Sequence, residues 1–159
     1  MKEIVIVNGS GRQINKTSIV VNMVEKELIS YNRKFTIINA IDYQLIDNLE
    51  HIKEKFLHTA IIWISPEYNW SYSAAIKRLI EQLTVEVLQT SISGIISVSS
   101  GSSSHSCLGN MASLLFAMRT TIVSPGVEVN QVTEGDTKKF EMDIRPLIKN
   151  IIYFQKRVF

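Results

Sequence analysis

The chain has 159 residues, 45% of them apolar and 20% charged, the size and balance of one folded domain spanning 1–159, which excludes global disorder and a disulfide-stapled mini-fold. Lys and Arg number 17 against 15 Asp and Glu, a formal charge of +2. These charges are scattered and form no basic block, so nucleic acid is not an expected partner.

Ile4 to Val7 is a short, β-branched apolar run that stops at Asn8-Gly9-Ser10-Gly11, the pattern of a strand buried on both faces and followed by a turn. Thr17 to Ser30 carries Val20, Met23, Val24 and Leu28 at helical spacing, with Thr17 or Ser18 as N-cap. Phe35 to Ala40 reads as the second strand, and Ile46 to Leu57 as a weaker helix capped by Asp47. Ala60 to Ile64 is a third doubly buried run, stopped by Ser65-Pro66. Ile76, Leu79, Ile80, Leu83 and Val87 mark the next helix, and Gly94 to Val98 the fourth strand. Leu108, Met111, Ala112, Leu115 and Met118 give a further helix, Thr121 to Val123 a last strand, and Asp143 to Tyr153 the closing helix. Strands separated by helices predict right-handed βαβ units and a parallel sheet covered on both faces, with ligands at the strands' C-terminal ends.

The loops at those ends have unusual compositions. Gly9-Ser10-Gly11-Arg12 leads to Thr17-Ser18 at a helix start, where backbone N–H groups, hydroxyls and a guanidinium suit a phosphate. The same residues also suit a plain strand-to-helix turn in which glycine supplies positive φ. Ile14 stands where the dinucleotide fingerprint needs its third glycine, and there is no Walker ending. Pro66 to Ser73, with Tyr68, Asn69, Trp70 and Tyr72, offers a flat wall for a heteroaromatic ring, although Trp70 and Tyr72 equally suit packing over the sheet edge or a subunit interface. Ser99 to Ser104 is small and hydroxyl-rich, which lets a ligand approach the backbone. His105 and Cys107 cannot face each other at i and i+2 and read as a solvated histidine and a packed cysteine. His51 and His58 lack a metal pattern. Cys107 is the sole cysteine and fits a reducing, cytoplasmic setting. The N-terminus lacks a signal-peptide core, and no run approaches the roughly 18–20 apolar residues of a membrane span.

In this order the three loops resemble the NADPH-dependent FMN reductase family of the flavodoxin-like fold. Gly9, Ser10 and Arg12 match its first motif, Pro66-Glu67-Tyr68-Asn69 its second completely, and Ile76-Lys77 with Glu81 approximate the third. Asn15, Arg78 and Ser73 depart from it, replacing a serine, an asparagine and a frequent proline. The resemblance implies a three-layer sandwich with a five-stranded parallel sheet in the order 2-1-3-4-5. It implies Ser10, Arg12, Asn15, Thr17 and Ser18 around the FMN phosphate, and Pro66, Glu67, Tyr68 and Asn69 along the isoalloxazine, mainly through backbone amides. Ser100, Gly101 and Ser102 would lie on the other side. NADPH or NADH would pass hydride to the flavin, which would reduce a quinone, azo compound, free flavin or metal oxyanion, with no catalytic side chain required. Trp70 and Tyr72 together with family habit predict a homodimer or homotetramer. The rival readings are an electron-carrier flavodoxin and a cofactor-free interaction scaffold. Carriers are usually acidic and carry a Ser/Thr-x-Thr-Gly-x-Thr loop, and this chain has neither feature.

Overall fold

The apolar runs pair side by side into one twisted parallel sheet. The structure, a computed structural model, describes residues 2–45, 50–135 and 137–159. Strand β1 (Ile4–Asn8) lies between β2 (Phe35–Asn39) and β3 (Ala60–Pro66), and β3 pairs with β4 (Ile92–Ser99). Two short segments, β5 (Thr121–Ile122) and β6 (Val127–Asn130), pair in parallel with the two ends of β4. The order is therefore β2-β1-β3-β4-β5, with β6 continuing the fifth position. This is the flavodoxin-like arrangement.

Successive strand residues point to opposite faces, which is why continuous apolar runs rather than alternating ones form these strands. Ile4 and Ile6 join α1 (Thr17–Ser30) and α5 (Lys138–Val158) in one core, whereas Val5 and Val7 join α2 (Glu50–Phe56), α3 (Ala74–Leu88) and α4 (His105–Ala117) in the other.

The structure differs from the sequence expectations at several boundaries. The last strand is split, because Pro125 has no N–H to give a ladder and Ser124 to Gly126 leave the sheet before β6 resumes it. Helix α5 runs well beyond Asp143–Tyr153. Phe140 already lies on the buried stripe of Ile144, Leu147, Ile148 and Ile151, so packing carries the helix through Pro146 despite the missing donor. Helix α1 has the expected bounds but a different cap: the Asn15 side chain accepts from the Ser18 N–H at 2.9 Å. Ser73 caps α3 by accepting from the Ile76 N–H at 3.1 Å, and α3 breaks at Thr84, whose φ is 65° and ψ 164°. Residues 46–49, including the expected cap Asp47, lie outside the described residues.

Hydrogen bonds continue past the strand ends. The Gly9 N–H donates to the Ile64 carbonyl at 2.8 Å, that of Glu67 to Val98 at 2.7 Å and that of Gln131 to Ser99 at 2.8 Å. The loops after β1, β3, β4 and β6 are thus held together at the C-terminal end of the sheet.

Candidate functional site

The first loop is shaped by its own polar side chains. Asn8, at the end of β1, accepts from the Ser10 N–H (3.2 Å) and donates to Ser18 Oγ (3.3 Å) and Asn39 Oδ1 (3.3 Å). Ser10 is buried, and its Oγ accepts from the Arg12 N–H at 3.1 Å. Asn15 donates to the Arg12 carbonyl at 2.8 Å while its Oδ1 takes both the Ser18 N–H and the Ser18 hydroxyl. These bonds close the loop around the start of α1 and leave Arg12 outside it, with Cζ 5.0 Å from the centre of the Tyr68 ring. Among the described residues no glycine has positive φ. Gly9 is needed for space instead: a Cβ there would stand 2.7 Å from the Ile64 carbonyl oxygen and 2.2 Å from Ile76 Cδ1.

The second loop is a tight turn. Tyr68 and Ser71 exchange both backbone hydrogen bonds, at 2.9 and 3.1 Å, across Asn69 and Trp70, whose φ values are 49° and 67°. Positive φ at both central residues is the turn geometry that Asn and Gly favour, so an aromatic residue at the second position is held against its preference. Asn110 of α4 supplies part of the restraint, donating to the Trp70 carbonyl at 3.1 Å. Ser73 Oγ donates to the Gly9 carbonyl, tying this loop to the first. Tyr72 packs against the core, but Trp70 is 71% exposed and does not cover the sheet edge.

The third loop is held by a residue that sequence reasoning missed. Glu128, on β6, accepts at Oε2 from the Ser104 N–H (2.8 Å) and the Ser103 hydroxyl (3.2 Å), and its Oε1 lies 3.1 Å from His105 Nδ1. It acts as an acid at the N-terminus of α4. Burial pushes the Glu128 carboxyl up, but the hydrogen bonds from Ser104, Asn130, His105 and Ser103 outweigh it and hold the group below its ordinary value. Ser99 Oγ accepts from the Gly101 N–H at 2.9 Å, leaving Ser100, Gly101 and Ser102 exposed at the rim. Cys107 is fully buried. Burial pushes its thiol up to about 11, with the Ser65 hydroxyl opposing and the Glu67 charge adding to the rise, so it is no nucleophile at neutral pH.

Between the loops lies a cleft of about 410 Å³. Of the residues expected around a ligand, Arg12, Asn15, Thr17, Pro66, Glu67, Tyr68 and Ser100 line it. Ser10 and Ser18 stand behind it and shape the first loop, and Asn69, Gly101 and Ser102 lie outside the lining. Ile14, Lys16, Ile19, Val98 and Glu134 join the lining unforeseen. Lys16 and Ile14 had a signal, since they sit inside the loop already singled out, whereas Glu134 arrives from the segment after β6. The cleft thus has cations at the α1 end, an aromatic wall from β3 and an apolar floor at Val98.

A family model described as NADPH-dependent FMN reductase matches residues 1–134. No protein of curated function matches the chain. Among solved structures, the flavoenzyme NAD(P)H:(acceptor) oxidoreductase FerB of Paracoccus denitrificans is similar at 16% identity and a TM-score of 0.75, over 96% of this chain and 98% of that one. A two-electron reduced flavodoxin of Megasphaera elsdenii gives 13% and 0.66, over 92% and 98%. Rubredoxin oxygen:oxidoreductase of the anaerobe Desulfovibrio gigas gives 14% and 0.76 over 99% of this chain, which spans only 36% of that larger protein. At these identities the likeness concerns the fold.

Proposed function

Because the chain belongs to the NADPH-dependent FMN reductase family, we propose that FMN occupies the cleft between the β1, β3 and β4 loops and that a small-molecule acceptor is reduced there. The chain is an NAD(P)H-dependent flavin oxidoreductase. The observation that supports the location is the convergence on one cleft of Arg12 and Lys16 at the start of α1 with the Tyr68 wall.

The residues present fit the cofactor. Its volume lies within the range of cofactor sites. Arg12 and Lys16 supply cationic donors for a phosphate beside the positive end of α1. Pro66, Glu67 and Tyr68 form a wall whose backbone is fixed by the Val98 and Ser71 hydrogen bonds. When bound, FMN supplies the hydride chemistry that links reduced nicotinamide to the acceptor. The protein's part is to hold the ring between the Tyr68 wall and the Ser100 rim and to leave one face open, so that donor and acceptor use the same slot in turn. In this reading Asn15 and Ser18 preorganise the loop, Arg12 and Thr17 meet the phosphate, and quinones, azo compounds, free flavins and metal oxyanions are the acceptor classes. NADPH and NADH are both candidate donors. A cytoplasmic setting belongs to the same reading, supported by the lone cysteine.

Catalytic amounts of protein with FMN are expected to oxidise NADPH or NADH steadily in the presence of a quinone. Shared use of one slot gives parallel double-reciprocal lines as the quinone is varied. Intersecting lines would require separate slots and contradict the arrangement.

A homodimer or homotetramer is part of this proposal, supported by the exposed Trp70 on its doubly hydrogen-bonded turn. Light scattering of the FMN-loaded protein at micromolar concentration is expected to give a multiple of the 18.0 kDa chain mass; a monomer would contradict it.

A further inference from the structure

The guanidinium that the cleft offers to a phosphate is already held, and by a ring instead of a carboxylate. Glu67 and Glu134 line the same cleft, yet among the described residues no carboxylate pairs with Arg12. Its Cζ lies 5.0 Å from the centre of the Tyr68 ring, within reach of a cation–π contact. The contact crosses the cleft from the β1 loop to the β3 loop, and both ends are anchored. Ser10 Oγ accepts from the Arg12 N–H at 3.1 Å and Asn15 donates to the Arg12 carbonyl at 2.8 Å. Tyr68 exchanges both backbone hydrogen bonds with Ser71, and Ser73 ties the two loops through the Gly9 carbonyl.

A carboxylate and an aromatic face hold an arginine in different ways. A carboxylate occupies N–H groups in the guanidinium plane and cancels the charge, so an incoming anion must compete with it. A ring takes the flat face, which leaves the charge uncancelled and the in-plane N–H groups open. The side chain also loses less rotamer freedom when a phosphate arrives, since part of that freedom is already gone. We infer that the Tyr68 ring holds Arg12 in place across the cleft, presenting its guanidinium to the FMN phosphate and so raising the preference for FMN over riboflavin. This rests on the proposal that FMN occupies the cleft with its phosphate at the α1 end, and it adds a task for the Tyr68 side chain. Tyr68 remains part of the wall through its backbone, and in this role it is a positioning residue that touches no phosphate oxygen.

The test is a fluorescence titration of the full chain with FMN and with riboflavin, using wild type, Tyr68→Phe, Tyr68→Leu, Arg12→Ala and the variant that combines Arg12→Ala with Tyr68→Leu. Loss of a ring contact at position 68 weakens both flavins alike, so the ratio of the two affinities reads the phosphate end alone. Tyr68→Leu is expected to narrow the preference for FMN by about two- to fivefold, the size of an exposed cation–π contact. Tyr68→Phe keeps the aromatic face and is expected to hold the wild-type ratio to within about 1.5-fold. With Arg12→Ala already in place, Tyr68→Leu should leave the ratio unchanged, because no guanidinium is there to be held. The inference is overturned if Tyr68→Leu weakens both flavins equally, if Tyr68→Phe narrows the preference as much as Tyr68→Leu does, or if the narrowing persists without Arg12. Should Tyr68→Leu fail to fold, pentafluorophenylalanine in place of Tyr68 decides, since fluorine removes the negative charge of the ring face and keeps its shape; a preference equal to that of Tyr68→Phe overturns the inference. A wild type that binds FMN and riboflavin equally also overturns it, whereas one that binds neither flavin overturns the FMN reading itself.

Discussion

Arg12→Ala is expected to weaken FMN binding by about 1.5–3 kcal/mol, roughly ten- to 150-fold, the range for a charge-assisted hydrogen bond to a phosphate. Riboflavin, which lacks the phosphate, should change by no more than about twofold, so the variant narrows the preference for FMN over riboflavin. The direction follows from the first loop, where Ser10 and Asn15 bind the backbone of residue 12 and hold the guanidinium outside the turn. The substitution removes the charge without touching these bonds. Parallel titrations with FMN and riboflavin check it; an equal loss for both ligands would assign Arg12 to the ring, through its contact with Tyr68, and not to the phosphate.

Gly9→Ala should be more damaging to the fold. Its new methyl would meet the Ile64 carbonyl oxygen at 2.7 Å, a backbone atom of the central strand that cannot turn away, as well as Ile76 at the start of α3. Overpacking of this kind costs about 1–3 kcal/mol. Relief requires β1 and the first loop to separate from β3, which would break the Gly9 to Ile64 hydrogen bond and the Ser73 contact with the Gly9 carbonyl. Urea unfolding is expected to show a lower midpoint, with FMN affinity reduced in the same variant. Unchanged stability would mean that the C-terminal end of the sheet is looser than its hydrogen bonds imply.

Much of the architecture was legible because buried parallel strands write themselves as uninterrupted apolar runs. Ile4 to Val7 and Ala60 to Ile64 are of that kind, and both became central strands. The bounds of α1 followed from its stripe. What was hidden depends on tertiary contacts. Val127 to Asn130 is too short and too mixed to declare itself a strand, and only its place beside β4 makes it one. Glu128 reaches Ser104 across 24 positions of sequence, so no local pattern announces it as the acid that orders the third loop. Asn15 shows the converse. Read as a phosphate donor, its amide is spent on Arg12 and Ser18, and it caps α1 from two to three residues before the hydroxyl residues that the sequence offered. The aromatic wall was visible as the Tyr68 motif, whereas the backbone strain at Trp70 was not, since nothing in the sequence marks the turn type once an aromatic replaces the residue that normally signals it.

In the proposed function this chain takes hydride directly from a reduced pyridine nucleotide into a flavin held in the β1, β3 and β4 cleft. Anaerobic mixing of the FMN-loaded protein with NADPH, and separately with NADH, tests it without any acceptor present. At least one of the two is expected to bleach the oxidised flavin band within minutes. A band that persists with both, yet disappears when a separate flavodoxin reductase is added, would contradict it and make the chain an electron carrier.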